Sequence, residues 1–107
     1  LRHLILNGLP VGVRGARTIA AGGPFARLTK LELSGCGLRE TGARAVAESA
    51  ALPDLTILDV SDNNAGKGLA RLTSPKAFPR LGHLDVLRNR LPKPVLAKLL
   101  KRPGVRA

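Results

Sequence analysis

The chain has no tryptophan, no tyrosine and no methionine, and only two phenylalanines among 107 residues. Recognition of unstacked nucleic-acid bases leans on aromatic faces, so that mode is disfavoured at the outset. The core has to be aliphatic, and a hydrophobic content of 44% is enough to build one. A single cysteine, Cys36, excludes an internal disulfide and fits a reducing, cytoplasmic setting. No run approaches the ~20 apolar residues of a membrane-spanning helix. No secretory signal is visible, and a chain that opens on Leu1 without Met reads as a segment of a longer protein. Acidic residues are scarce too: seven Asp+Glu stand against 18 Lys+Arg, a net charge of +11. That balance suits an anionic partner, so where the charge sits decides more than its sum.

What the chain does have is leucine at fixed spacing. Four windows superimpose: LRHLILNGLPV from Leu1, LTKLELSGCGL from Leu28, LTILDVSDNNA from Leu55 and LGHLDVLRNRL from Leu81. Their starts are 27, 27 and 26 residues apart. Positions four and six of each window, such as Leu31 and Leu33, alternate about an outward residue, which is the period of a short strand. Alanine-rich stretches follow. Ala16, Ile19 and Ala20 match Ala43, Val46 and Ala47 at i, i+3, i+4, one face of a helix. Helices are therefore expected over 13–21 and 41–50. A third is cut short to 67–72 by the TSPKAFP segment, and a fourth opens at Pro94. Gly15–Ala16 and Gly42–Ala43 are expected to let helix and strand approach closely. An apolar anchor recurs before each restart, at Phe25, Leu52, Phe78 and finally Val105. One unit of strand, turn and helix cannot close its own interior, whereas stacked units can.

These windows, their period and the GARAVAES-type helix resemble leucine-rich repeats of the ribonuclease-inhibitor-like subclass, and the resemblance spans the whole chain. It implies an α/β solenoid with a curved parallel sheet on the concave side and helices on the convex side. It also implies one domain of four repeats (1–27, 28–54, 55–80 and 81–107), the C-terminal part of a longer array, that binds another protein and catalyses nothing. The third unit is a residue short, and Leu9 stands where the family has Asn or Cys. That ninth position holds Leu9, Cys36, Asn63 and Asn89. In the family its Asn side chains hydrogen-bond the backbone of neighbouring units, and Cys fits there as a small buried residue. A reactive thiolate wants exposure and an adjacent base or cation, so Cys36 reads as structural.

Window positions three, five and seven point away from the interior. They carry His3, Lys30, Ile57 and His83; then Ile5, Glu32, Asp59 and Asp85; then Asn7, Ser34, Ser61 and Leu87. With strands about 4.8 Å apart, Glu32, Asp59 and Asp85 form a row of carboxylates whose mutual repulsion Lys30 and His83 are placed to relieve. The candidate partner-binding face is His3, Ile5, Lys30, Glu32, Ile57, Asp59, His83, Asp85 and Leu87, with Arg88 and Arg90 at its rim. A solvated, salt-bridged face with no ligand is the plainer reading. A metal site from Asp59, Asp85 and His83 is a third, weakened because a flat sheet splays its ligands. His3 and His83 stand roughly 14 Å apart at this strand spacing and share no ion.

Lys+Arg against Asp+Glu runs 4 to 0, 3 to 4, 4 to 2 and 7 to 1 through the four units. The last unit therefore offers an alternative anion-binding surface for nucleic acid or a membrane: Lys93, Lys98, Lys101, Arg102 and Arg106, with Lys98, Lys101 and Arg102 sharing one helix face. The plainer reading is a polar cap that ends the stack. A spacer that joins domains and binds nothing is also open. No enzyme constellation emerges. NNAGKGL at 63–69 lacks the G-x-x-x-x-G-K-[ST] pattern of a phosphate loop, no G-x-S-x-G occurs, and no Cys or His pair has zinc-ligand spacing. TSPK at 73–76 reads as a helix stop before it reads as a phosphorylation site. No cofactor is implied.

Overall fold

The tripeptides HLI, KLE, ILD and HLD each set one leucine between two outward-pointing residues, and each is a strand: β1 (His3–Ile5), β2 (Lys30–Glu32), β3 (Ile57–Asp59) and β4 (His83–Asp85). The computed structural model describes residues 1–107. The strands lie side by side in sequence order, all parallel, with a fifth, β5 (Val105–Arg106), beyond β4. Leu4, Leu31, Leu58 and Leu84 pair in one continuous row, and Ile5, Glu32, Asp59 and Asp85 in the next. The near-constant period sets this register, because a one-residue slip would turn every leucine to the opposite face.

Parallel neighbours need a crossover, and helices supply it. These are α1 (Gly12–Ala20), α2 (Arg39–Ala47), a 3-10 helix (Gly66–Thr73) and α3 (Lys93–Leu99). They pack in chain order, each on the next, over one face of the sheet. The interior between the layers is aliphatic, built on Leu28, Leu31, Leu33, Leu55, Leu58, Leu69 and Leu72, with Ala16, Ala43 and Val46 from the helices. Leu4 and Leu6 are only half-buried, because β1 is the sheet's open edge.

Four expectations change. Gly42 and Ala16 serve helix against helix, not helix against strand, whereas a Cβ on Gly15 would meet only Val11 of its own turn. A Cβ on Gly42 would lie 3.5 Å from Ala16 Cβ, and one on Gly68 would sit 2.4 Å from the Glu40 carbonyl oxygen. Second, α2 ends at Ala47 rather than at residue 50; beyond it Ser49 Oγ donates to the Ala20 carbonyl at 2.6 Å and ties the descending loop to the previous unit. Third, the shortened third helix occupies the expected span but winds as 3-10, and extended Ser74, before Pro75, stops it.

The fourth change concerns the end of the chain. Leu28, Leu55 and Leu81 each donate their N–H to the anchor three residues back, Phe25, Leu52 and Phe78, and Arg102 makes the same bond to Leu99. The fourth anchor is thus Leu99, fully buried, and not Val105. Val105 pairs with Leu84 in the leucine row. A fifth window begins at Arg102, and no leucine announces it.

Candidate interaction surfaces

The turn after each strand carries the ninth-position side chains. Asn63 Oδ1 accepts from the backbone of Cys36 (3.0 Å) and Leu38 (3.1 Å) in the unit before. Its Nδ2 donates back to Leu33, Val60 and Ser61 at 2.7–3.0 Å. Asn89 repeats the pattern on Asn63 N and Ala65 N (2.9 and 3.2 Å) and on the carbonyls of Val60, Val86 and Leu87. Cys36 Sγ lies within reach of the Leu6 carbonyl at 3.0 Å and of the Ser34 carbonyl at 3.6 Å. Burial pushes its thiol pKa up, the opposite of an activated nucleophile. Leu9, unable to make such bonds, is exposed.

These turns hold the outer sheet face in place. Glu32 lies opposite Asp59, and Asp59 opposite Asp85, as the spacing predicts. The repulsion is relieved one carboxylate at a time. Asn7 Nδ2 donates to Glu32 Oε1 at 2.8 Å, and Lys30 Nζ stands 3.3 Å from Oε2. The Asn7 bond does most to lower the Glu32 pKa; burial opposes it, and Lys30 lowers it further. Asp59 Oδ1 accepts from Ser61 N–H (2.9 Å) and Ser61 Oγ (2.6 Å), and Asp85 Oδ1 from Leu87 N–H (3.0 Å). Asp59 Oδ2 has no partner in the protein, while Asp85 Oδ2 lies 3.8 Å from Arg106. His83 makes no ion pair; the counter-charge to Asp85 comes from β5 instead. His3 and Ile5 are exposed at the β1 edge, and Ile57 and Leu87 are half-buried. Lys30, Glu32, Ile57, Asp59, His83, Asp85 and Arg106 border one open depression of about 240 Å³.

The seventh-position residues, expected to face outward, are partly enclosed: Ser61 is buried and Ser34 half-buried. Asn7 Oδ1 also takes the Ser34 N–H at 2.8 Å, and the hydroxyls of Ser34 and Ser61 are hydrogen-bonded at 2.8 Å. A row of small polar residues along the repeat was the available signal for this chain of contacts.

The basic last unit divides. Lys93 and Lys98 lie on α3, but the helix ends at Leu99, so Lys101 and Arg102 are beyond it and the expected common helix face does not form. Arg102 turns inward. Its guanidinium donates to the carbonyls of Leu72, Ser74, Ala77 and Phe78 at 2.8–3.1 Å. That leaves it no fork for an anion, and burial lowers its pKa from the usual arginine value. Arg106 joins the outer sheet face, apart from the lysines. Lys98 and Lys101 remain at the mouth of a cleft of about 560 Å³ walled by Pro75, Pro79, Leu81 and Pro103, with no carboxylate among its lining residues. Arg88 Nε lies 3.6 Å from Asp62 Oδ2, and Arg88, Arg90 and Arg39 rim a depression of about 400 Å³ with no hydrophobic residue in its lining.

No group of three or more His, Cys, Asp or Glu side chains is placed to hold a metal ion. No helix is long and apolar enough to cross a membrane. A scan against protein-family models finds no match to this chain, and a search of curated proteins finds none either.

Proposed function

We propose that the chain is a leucine-rich-repeat solenoid and a non-catalytic interaction module, whose outer sheet face is the concave surface that receives a cationic segment of a partner protein. The observation that carries this is the anchoring of two carboxylates. Asp59 and Asp85 sit in register on adjacent strands, each with Oδ1 tied to the backbone two residues on, and Asp59 keeps Oδ2 free. Their rotamers are set before any partner arrives, so little side-chain entropy remains to be lost on binding. Ile57 and Leu87 supply half-buried apolar contact beside them. With no Tyr or Trp available, affinity is modest and charge governs partner choice.

The net charge of +11 opposes a cationic partner at long range. Screening over about 8 Å at physiological salt leaves the local acidic row in control once the partner is near. A defined lysine- and arginine-containing peptide, titrated against the protein by fluorescence anisotropy, tests the reading. Binding is expected to fall at least tenfold in the Asp59→Lys, Asp85→Lys double variant. Equal affinity in both proteins would sink it.

A second reading rests on Lys98 and Lys101, which have no acidic neighbour in their cleft. There the last unit binds an anionic surface, and nucleic-acid affinity falls steeply as salt rises. The same titration with duplex DNA at 50 and 200 mM salt separates the two: affinity that ignores salt eliminates this second reading.

A further inference from the structure

Clefts open between the loops that lead from each helix back to the next strand, and two of them differ in kind. Between the second and third units the cleft is about 210 Å³, and Glu48 shares its lining with Arg71 and Lys76, so both signs of charge are present. Between the third and fourth units it is about 560 Å³, with no carboxylate in its lining. The wider cleft stands where TSPKAFP takes the place of a helix end: the 3-10 helix stops at Thr73, and the chain turns through Pro75 and Pro79. Its walls come from two consecutive units, so it owes nothing to where the chain ends.

Hydrogen bonds hold this cleft in shape. Arg102 lines it and donates to the carbonyls of Leu72, Ser74, Ala77 and Phe78 at 2.8–3.1 Å, which pins the loop of the third unit to the fourth. Within that loop Ser74 Oγ accepts from the Lys76 N–H at 3.2 Å, and the proline rings fix φ at Pro75, Pro79 and Pro103. Such a shape exists before a ligand arrives, so little ordering remains to oppose binding. The walls are Pro75, Pro79, Leu81 and Pro103, and proline has no N–H to donate. They favour contact with apolar surface. Lys98 and Lys101 are exposed and supply the only charge in the lining besides the engaged Arg102.

We propose that this cleft binds a small anionic amphiphile, whose aliphatic tail lies along the proline walls and Leu81 and whose carboxylate or phosphate head meets Lys98 and Lys101. Its volume of about 560 Å³ falls within the range of about 300–1,000 Å³ common to small-molecule sites. An apolar body with one charged end matches apolar walls and a cationic mouth. A peptide would set its own N–H and C=O groups against walls that offer no N–H in return, and a nucleic acid would use the lysines but leave the walls wet. The proposal shares its two lysines with the anionic-surface reading and goes beyond it by giving the apolar walls a role.

The test is a calorimetric titration of the full chain with butyrate, octanoate and decanoate below their micelle-forming concentrations, with 1H–15N correlation spectra to locate the site. Affinity is expected to rise about fivefold or more from octanoate to decanoate, because two further methylenes leave water. The largest amide shifts are expected at Thr73, Leu81, Lys98 and Lys101. In the Lys98→Gln, Lys101→Gln double variant decanoate affinity is expected to drop about fivefold or more, while decanol affinity and the melting temperature stay unchanged because both lysines are exposed. Decyl phosphate serves as the second head group; binding of either supports the site, and the tighter of the two names the head. Equal affinity for butyrate and decanoate would overturn the proposal and leave the anionic-surface reading standing, since bare lysine charge is indifferent to a tail. Shifts confined to residues outside the cleft, or unchanged decanoate affinity in the double variant, would overturn it as well.

Discussion

At Glu32 a carboxylate set beside a like charge is kept ionised by a neighbour from the turn of the preceding unit. Asn7 reaches across to it and Lys30 sits two residues away on its own strand, and both favour the charged form. Folded Glu32 therefore binds its proton more weakly than the unfolded chain does. Its contribution to stability is complete above the ordinary carboxylate range, and it is lost as pH falls through the lowered folded value. In urea unfolding, Glu32→Gln is expected to reduce stability at pH 7 and to show a smaller deficit at pH 3. An equal deficit at both pH values would show that shape, not charge, matters at this residue. Arg102 makes the complementary point: formal charge says nothing of availability once four carbonyls surround a guanidinium.

At the scale of the element, the strands are three residues long and the helices at most nine, too short to persist alone. Their ends are held by the asparagine turns. Asn63 makes five hydrogen bonds from a buried position, two accepted and three donated. Asn63→Ala deletes them together and strands the N–H groups of Cys36 and Leu38. The expected loss is about 3 kcal/mol or more, since unsatisfied buried groups carry their full desolvation cost. Chemical denaturation reads this directly, and hydrogen exchange should show faster exchange at Cys36 and Leu38 first. A loss under about 1 kcal/mol would mean that water replaces the side chain readily.

The whole molecule has two unlike ends. At one, β5 and the inward Arg102 cover the last unit. At the other, β1 presents an unpaired strand edge with Leu1, Ile5 and Leu9 more than half exposed. Edges of this kind recruit other strands. The parent chain is expected to self-associate with rising concentration in sedimentation velocity. Ile5→Lys, which places a cation on the edge across from Glu32, is expected to suppress that association while leaving the fold intact. Identical sedimentation of the two proteins at every concentration would exonerate the edge.

The sequence by itself determined the parallel α/β architecture, the leucine row, the carboxylate register and the burial of Cys36. Each follows from a period that repeats with a defined partner one unit away. Leu58 has Leu31 and Leu84 beside it, and all three are buried. Only the tertiary structure decided the fate of residues whose surroundings the period does not repeat. Arg102 occupies a leucine's place, Val105 joins the sheet, Arg106 guards Asp85, and Leu9 is left in solvent. All four belong to the first or last unit. A linear pattern specifies which side chains face a neighbour. Whether that neighbour is a leucine, a set of carbonyls or water is settled by the packing, because burial and hydrogen bonding are properties of both partners together.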